Sequence, residues 1–592
     1  MKKQSAITAP IVEPFYLKGF RPLLIISLFI FLLYLPTIWY GFSPMDERWV
    51  IIQHKEAMRH FYQVPEMFSQ STLGMYYRPV WTSSFVIDMA LGNGSAGIFH
   101  FTNIILHVLC SLLLYRFFLL LGFAKNLSFV SALIFAIHPL NLHTVAWIPG
   151  RNDSLLCLFT LLSCHQLLRY FITQKTSNLI FHLLTFIMAL FTKENAIILP
   201  FIFLLLWYVF TDKKPAENLF LHCCLWITIA VAWFFLRMSL INYFPPASKA
   251  ISFETIGRFV SSLLIYAGKI MLPVYQSVMP VLQDTPLFPF IFIIAALILF
   301  AFRFGFRNKK IAFFGLAWFL IFIIIPAWVG TTNSNQEHYE HRIYTSMIGM
   351  LIFLSQLKFH LSRNIASGVF GLLLLLLTFK TIYRSPAYKS ELSFLEAVTD
   401  ESPSIAFLHD MLGFKYAEQK KYAQALVCFN DAIRLNPKKA DFYNDRGNLH
   451  FQTKNYMLAL QDFNKTMEDD KGKTVKLINR SMTYFYLGKH SEALHDLEAA
   501  QSDSEACIPA EYVTRLYNAF QKDTIEICTQ KLKKDSLDAS SYNTRGIAKL
   551  RLGIVEEALC DFNRALLLRP NSAAIKSNQQ FALTQLNSGI HP

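Results

Sequence analysis

Charge is what this sequence has least of. Only 16% of its 592 residues are Asp, Glu, Lys or Arg, 54% are hydrophobic, and mean hydropathy is +0.35. Soluble chains carry about 25% charged residues, so a wholly soluble protein is excluded. Cysteine is sparse too: nine residues, an odd number, none at metal-ligand spacing. Cys223 and Cys224 are neighbours inside an apolar run, and Cys428 and Cys560 fall in helical stretches. We expect no disulfide framework and no zinc site. The first residues, MKKQSAITAP, lack a cleavable signal pattern before Leu23. The first apolar stretch therefore reads as a start-transfer anchor. The formal net charge is +15, yet no basic patch is interleaved with stacking aromatics, so nucleic acid is not the expected partner. Lys and Arg sit largely in short turns between apolar segments, where membrane lipids with anionic headgroups are the natural partner.

What is present divides near residue 385. Apolar segments fill 22–40, 98–121, 127–148, 154–173, 178–192, 195–211, 218–241, 256–273, 286–305, 311–328, 343–358 and 366–383. Each approaches the roughly 20 apolar residues that cross a bilayer. Segment 79–91 is shorter and reads as interfacial. Lys2, Lys3, Lys18 and Arg21 hold the N-terminus inside, which puts the first outer loop, 42–97, outside. Lys125, Lys175, Lys213 and Lys214 agree with that register, and Arg303, Arg307, Lys309, Lys310, Lys358 and Arg363 mark later inner turns. Twelve full crossings would return the C-terminus inside, whereas the late inner turns carry it outside. One segment is then re-entrant, and 256–273, with Arg258 and Lys269, is the candidate. We expect about 11 spans in residues 1–384, a linker over 385–405, and an outer soluble domain over 406–592.

That domain repeats. Gly413 and Gly447 are 34 residues apart, as are Ala425 and Ala459, and Phe429 and Phe463. Ser481, Ala493 and Leu497 continue the register; Gly546, Ala558, Phe562 and Pro570 mark a further copy. A 34-residue period with these small and aromatic positions is that of tetratricopeptide repeats. Small residues let two helices approach, aromatics fill the gap between repeats, and Pro ends the second helix. We expect repeats near 406–439, 440–473, 474–507 and 539–572, a degenerate copy at 505–538, and a capping helix at 573–585. The fold class is all-α: a polytopic bundle followed by an α-solenoid.

Charged groups at membrane depth cost about 2.5–3.5 kcal/mol each on insertion scales, so each is a functional candidate. Asp46 and Glu47, in "SPMDERWV", follow the first segment. Arg78 stands in "YYRPVW"; His100, Asn103 and His107 share one helix face. His138-Pro139, Arg151 and Asp153, Lys193-Glu194, and Glu340, His341, Arg342 and Tyr344 complete the set. Each also has a plain structural reading, as a helix end, a core histidine, an ion pair, a polar turn or a headgroup anchor. Carboxylates gathered with Arg, Lys and His on one membrane face suit an anionic lipid-linked substrate and an acid–base step.

The stretches "RPVWTSSFVIDMALGNGSAGIFHFTNIILHVLCSLLLY", "IFAIHPLNLHTVAWIPGRNDSLLCLF", "FTKENAIILP" and "HRIYTSMIG" resemble the transmembrane and tetratricopeptide-repeat proteins of the O-mannosyltransferase type, GT-C fold glycosyltransferases. The resemblance covers nearly the whole chain. It implies a polyprenyl-phosphate sugar donor, with mannose the precedent, and a protein Ser or Thr hydroxyl acceptor held by the repeats. It implies an acidic pair in the first outer loop, matched by Asp46 and Glu47, with Asp46 as base. The cations Arg78, Arg151, Lys193, His341 and Arg342 would take the donor phosphate. His100, Asn103, His107, His138, Asp153, Glu194 and Tyr344 would support them. No cofactor is obligatory, although Asp46 with Glu47 could hold a divalent ion weakly. The family often reads His-Pro-x-x-x-Glu; here the last position is His143. The compact outer loops suit a bacterial inner membrane with periplasmic repeats, or an endoplasmic reticulum membrane with lumenal repeats in a eukaryote. Alternatives are an O-antigen-ligase-type enzyme using the late loop with His338, His341 and Arg342, a lipid-sugar flippase, and a membrane-anchored scaffold without chemistry.

Overall fold

The computed structural model describes residues 14–44, 47–72, 74–210, 216–241, 252–332, 339–358, 362–467, 473–501 and 510–588. Asp46, Lys2, Lys3, Lys213, Lys214 and His338 lie outside these residues. The chain forms two compact units, Met1–Ile405 and Ala406–Pro592. The described residues are helices and their connections, with two isolated bridges, Thr72 to Tyr76 and Phe306 to Leu357.

The first unit begins with α1 (Arg21–Tyr34), α2 (Pro79–Gly92), α3 (Ala96–Leu120), α4 (Lys125–Ile137), α5 (Asn141–Ala146), α6 (Arg151–Thr173), α7 (Thr176–Leu190) and α8 (Leu199–Phe210). It continues with α9 (Ala216–Leu240), α10 (Phe253–Met271), α11 (Phe288–Phe304), α12 (Lys309–Thr332), α13 (Tyr344–Ser355), α14 (Arg363–Arg384) and α15 (Glu391–Glu401). Among the described residues six stretches are long and apolar enough to cross a membrane: Arg21–Trp39, Ala96–Leu120, Ile148–Thr173, Leu219–Leu240, Lys309–Val329 and Asn364–Tyr388. Four apolar helices, Lys125–Ile137, Thr176–Leu190, Glu194–Phe210 and Phe288–Phe304, are shorter. Proline explains one shortening. Pro139 lacks the N–H a helix interior needs, so the apolar run 127–148 divides into α4 and α5.

Phe117 and Phe118 of α3, Leu161 of α6, Trp318 of α12 and Ile348 of α13 share one buried apolar cluster. Leu28, Phe292, Phe302, Leu375 and Phe379 point outward with large apolar exposure, the surface a lipid-embedded bundle presents. A close backbone approach joins α12 and α13. A Cβ on Gly315 would stand 2.6 Å from the Phe353 amide nitrogen and 2.7 Å from the Gly349 carbonyl oxygen. Small residues at such seams are how membrane helices pack, since lipid supplies no hydrophobic drive between them.

Two segments carry more packing than the sequence alone shows. Helix α2, expected at the interface, packs into the protein: Trp81, Phe85, Val86 and Met89 are buried against Phe99 and Ile148. Its Asp88 faces inward to an arginine. Residues 385–405, expected as a linker, are packed as well. They form a short 3-10 turn, Ser385–Tyr388, and then α15, which buries Phe394, Leu395 and Val398. Polar contacts fasten α15 to the rest of the first unit: Ser402 Oγ bonds Ser277 Oγ at 2.8 Å, and Arg384 Nη2 reaches Glu401 Oε1 at 3.2 Å.

The second unit pairs α16 (Ala406–Glu418) with α17 (Tyr422–Leu435), α18 (Ala440–Gln452) with α19 (Tyr456–Thr466), and α20 (Lys473–Tyr486) with α21 (His490–Gln501). Helix α22 (Ala510–Lys534) follows, then α23 (Ala539–Arg551) with α24 (Val555–Leu568), and α25 (Ala573–Ser588). The degenerate copy is thus one continuous helix over 510–534, because that stretch contains neither Gly nor Pro to break it. In the regular repeats glycine is demanded by the aromatic it faces. A Cβ on Gly413 would meet Phe429 at 2.8 Å, one on Gly447 Phe463 at 2.8 Å, and one on Gly546 Phe562 at 2.7 Å. A second device recurs. Arg446 forks onto Asp462, Arg480 onto Asp496 and Arg545 onto Asp561, each through Nε and Nη2 at 2.6–2.9 Å. The third arm of Arg446 and of Arg480 reaches Asn430 and Asn464 of the preceding helix.

Candidate active site

The first unit gathers six of the candidate residues. Asp153 lies in the first turn of α6, where the helix dipole favours a carboxylate. Lys193, between α7 and the 3-10 turn Glu194–Ile198, places Nζ 2.7 Å from Asp153 Oδ1 and 3.1 Å from Asn152 Oδ1. Arg78, just before α2, holds Glu194 Oε2 through Nη2 at 2.7 Å and Nε at 2.9 Å. His341 and Arg342 sit in the 3-10 turn Glu340–Ile343 that leads into α13. His341 Nε2 is 3.9 Å from Asp153 Oδ2. Arg342, half-buried, lies over the Tyr339 ring at 4.9 Å, with Nη1 3.5 Å from the Pro326 carbonyl. Arg78 and Lys193 therefore each hold a carboxylate, with His341 and the Arg342 charge close by.

The electrostatics follow from burial. Desolvation lowers the Lys193 ammonium below its ordinary range, against the pull of Asp153, and the positive charges of Arg78 and Arg342 push the same way. Burial likewise holds the His341 imidazole well below its usual value, reinforced by His143, Lys193, Arg342 and Arg78. His341 is thus neutral at physiological pH. Burial also works against the Arg78 charge, but Glu194 outweighs it, so that guanidinium is raised overall. Arg78 and Lys193 each have a carboxylate partner, and the Arg342 charge stands near enough to Lys193 to act on it.

The other expected donor-binding residue stands elsewhere. Arg151, wholly buried, pairs with Asp88 at 2.5 Å, and also donates to Asn103 Oδ1 at 2.7 Å and the Phe99 carbonyl at 2.8 Å. Its donors are spent on protein groups, which makes it a brace among α2, α3 and α6. Asn103 in turn donates to the Val145 carbonyl at 3.2 Å. His107 bonds the Tyr344 hydroxyl at 2.6 Å and the Ala136 carbonyl at 2.8 Å. His138 Nε2 lies 3.1 Å from the Ile270 carbonyl, and His100 Nε2 3.4 Å from that of Gly41. These four polar residues and Tyr344 tie helices and loops together. Among the described residues no group of three or more His, Cys, Asp or Glu is placed to hold a metal ion.

Glu47 is buried, with Oε1 accepting from the Ile148 amide at 3.1 Å and Oε2 from the Ser43 amide. It therefore ties the backbone at Ser43 to the N-terminal approach of α6. Sequence reading missed Asp88, the counter-ion of Arg151; its signal was a lone carboxylate inside "FVIDMAL". It also missed how Glu340 is used. Glu340 takes Lys269 at 2.8 Å and Arg384 at 3.1 Å, locking α10, the 340–343 turn and α14 together.

Comparison with known proteins bears on this arrangement. The family of dolichyl-phosphate-mannose-protein mannosyltransferases matches residues 79–239, and a tetratricopeptide-repeat family matches 413–454. In this chain a segment that matches the mannosyltransferase family precedes one that matches tetratricopeptide repeats. The segment matched to the mannosyltransferase family starts one residue after Arg78 and contains Arg151, Asp153, Lys193 and Glu194. Among curated relatives, protein O-mannosyl-transferase TMTC1 of Mus musculus is 40% identical over 96 residues, 16% of this chain and 10% of that one. Protein O-mannosyl-transferase F38B6.6 of Caenorhabditis elegans is 25% identical over 401 residues, 62% of this chain and 55% of that one. Protein O-mannosyl-transferase TMTC4 of Homo sapiens is 35% identical over 109 residues, 16% of this chain and 15% of that one. The chain thus spans about half the length of the worm relative and a tenth to a seventh of the other two.

Proposed function

We propose that this protein is an integral membrane glycosyltransferase that moves a sugar, mannose by family precedent, from a polyprenyl-phosphate donor to a protein hydroxyl. The observation that carries the reading is the convergence of Arg78, Lys193, His341 and Arg342 beside Asp153 and Glu194. Phosphate suits this set: Arg offers a planar fork to two oxygens and Lys a point charge.

In this reading the Asp46 carboxylate takes the proton of the acceptor hydroxyl. The hydroxyl oxygen bonds to the anomeric carbon as the bond from that carbon to the phosphate oxygen breaks, with inversion. The phosphate leaves with the electron pair, and Lys193 and Arg342 stabilise its growing charge, so a leaving-group acid is unnecessary. Glu47 serves as the positioning residue for Asp46, since both its oxygens are held by backbone amides. The charge pattern of the loops argues for an outer-side reaction. Arrays of such repeats present a concave surface, and here they would bind the acceptor protein.

The test uses membranes containing the full chain, with labelled polyprenyl-phosphate sugars. Label should reach protein in the wild type, and Asp46→Asn should abolish transfer without changing thermal unfolding. Full activity in that variant would overturn the assignment. Transfer of a preassembled glycan, but no single sugar, would favour the ligase-type alternative.

A further inference from the structure

Four buried rings stand together beside the cation cluster. His143 of α5 is 4.8 Å from His341, centroid to centroid, 5.0 Å from Trp147 and 5.9 Å from Tyr388; Trp147 is 5.2 Å from His341. All four are more than nine-tenths buried. Yet each has a buried polar atom with no hydrogen-bond partner: His143 Nδ1, Trp147 Nε1, His341 Nδ1 and the Tyr388 hydroxyl. Asp153 Oδ2, 3.9 Å from His341 Nε2, is in the same condition. An unmet buried donor or acceptor costs about 1–3 kcal/mol, and native proteins hold few of them. Five at one place are a concentration that packing alone does not call for.

The chemistry of the set narrows its ligand. Aromatic faces flanked by neutral donors and acceptors suit a polyol, whose C–H faces pack on rings and whose hydroxyls both give and take hydrogen bonds. A second phosphate would be served poorly by this set, since apart from Asp153 its members are uncharged rings. The position fits as well. One edge, His341 with Asp153, borders Lys193 and the proposed phosphate site. The other edge is tied to the loop preceding Asp46: Ser385 Oγ bonds the Tyr40 hydroxyl at 2.8 Å, and the Lys389 carbonyl accepts from the Gly41 amide at 3.1 Å. Tyr388 lies between those two ties.

We infer that His143, Trp147, His341 and Tyr388 form the subsite for the sugar of the donor, lying between the phosphate-binding cations and the loop of the acidic pair. This rests on the proposed donor class. It also gives His143 a role where the family often carries Glu: a neutral group bonding a hydroxyl.

Binding tests it separately from catalysis. The purified full chain in detergent is titrated with polyprenyl phosphate and with polyprenyl-phosphate mannose. The sugar-bearing lipid should bind more tightly. Tyr388→Phe, which removes one oxygen and keeps the ring, should cut that preference about 3- to 10-fold while binding of the sugar-free lipid stays constant. His143→Leu should do the same. Equal affinity for the two lipids in the wild type, or a preference that survives both variants, overturns the subsite. Equal weakening of both lipids also overturns it, because that is the mark of a merely structural role. Transfer assays on the same preparations read the proposed activity independently. A sugar preference without any transfer would count against the transferase reading and leave the subsite standing.

Discussion

Arg151 and Asp88 are joined at 2.5 Å, with both side chains almost wholly out of solvent. Removing one partner leaves an uncompensated buried charge, which costs about 3–5 kcal/mol. Asp88→Ala should therefore lower thermal stability sharply in detergent, or prevent accumulation of the protein. Replacing both by apolar residues, Asp88→Leu with Arg151→Met, should recover much of the loss. If Asp88→Ala is as stable as wild type, Arg151 is not the brace described.

Arg342 and Lys193 should behave differently although both neighbour the proposed phosphate. Lys193 satisfies Asp153 at 2.7 Å, so Lys193→Met exposes a buried carboxylate and should reduce stability as well as donor binding. Arg342 rests on a ring and a carbonyl. Arg342→Ala should leave unfolding nearly unchanged and weaken polyprenyl phosphate binding by about 10- to 100-fold, the worth of a charge-assisted contact. Titration of both variants with the lipid phosphate reads this directly.

In the repeats, Gly546→Ala should drive a methyl into Phe562, where a Cβ would stand at 2.7 Å. Overpacking of this kind costs about 1–3 kcal/mol. Adding Phe562→Leu to the same chain should relieve part of it. Limited proteolysis of the intact protein, followed at the repeat unit, would show the order wild type, double variant, single variant.

Asp410 and Asp445 give the repeats a pH dependence. Burial, with the neighbouring Asp445, pushes the Asp410 carboxyl up to about 8. An unfolded aspartate titrates near 3.9, so folding favours the protonated form. That stability is fully present below the unfolded value and is lost as pH rises through about 8. Asp410→Asn should flatten the dependence between pH 4 and 8 and raise the unfolding temperature of the repeats at pH 8. An unchanged pH profile in Asp410→Asn would contradict it.

The period of 34 made the repeats readable, because Gly413, Gly447 and Gly546 each answer to one aromatic sixteen residues on. It failed at 510–534, where a helix without a breaker simply runs on. The cationic centre was partly legible: charges in apolar text are costly enough to be noticed, and Arg78, Lys193, His341 and Arg342 stood out for that reason. Which charge meets which was not legible. Arg151 and Asp153 are two residues apart, yet helix geometry sends Arg151 to Asp88 and Asp153 to Lys193. The rings of Trp147 and Tyr388 were silent, since aromatics are ordinary in apolar segments and only their unmet polar atoms distinguish them.

The seam between α12 and α13 has a consequence for traffic. With Gly315 and Gly349 in backbone contact, no side chain can swing aside there to make an opening. The two helices must travel as one plank, carrying His341 and Arg342 at its edge. On the proposed reading, the lipid tail of the donor would not pass through that seam, and its doorway would belong to helices that meet through side chains.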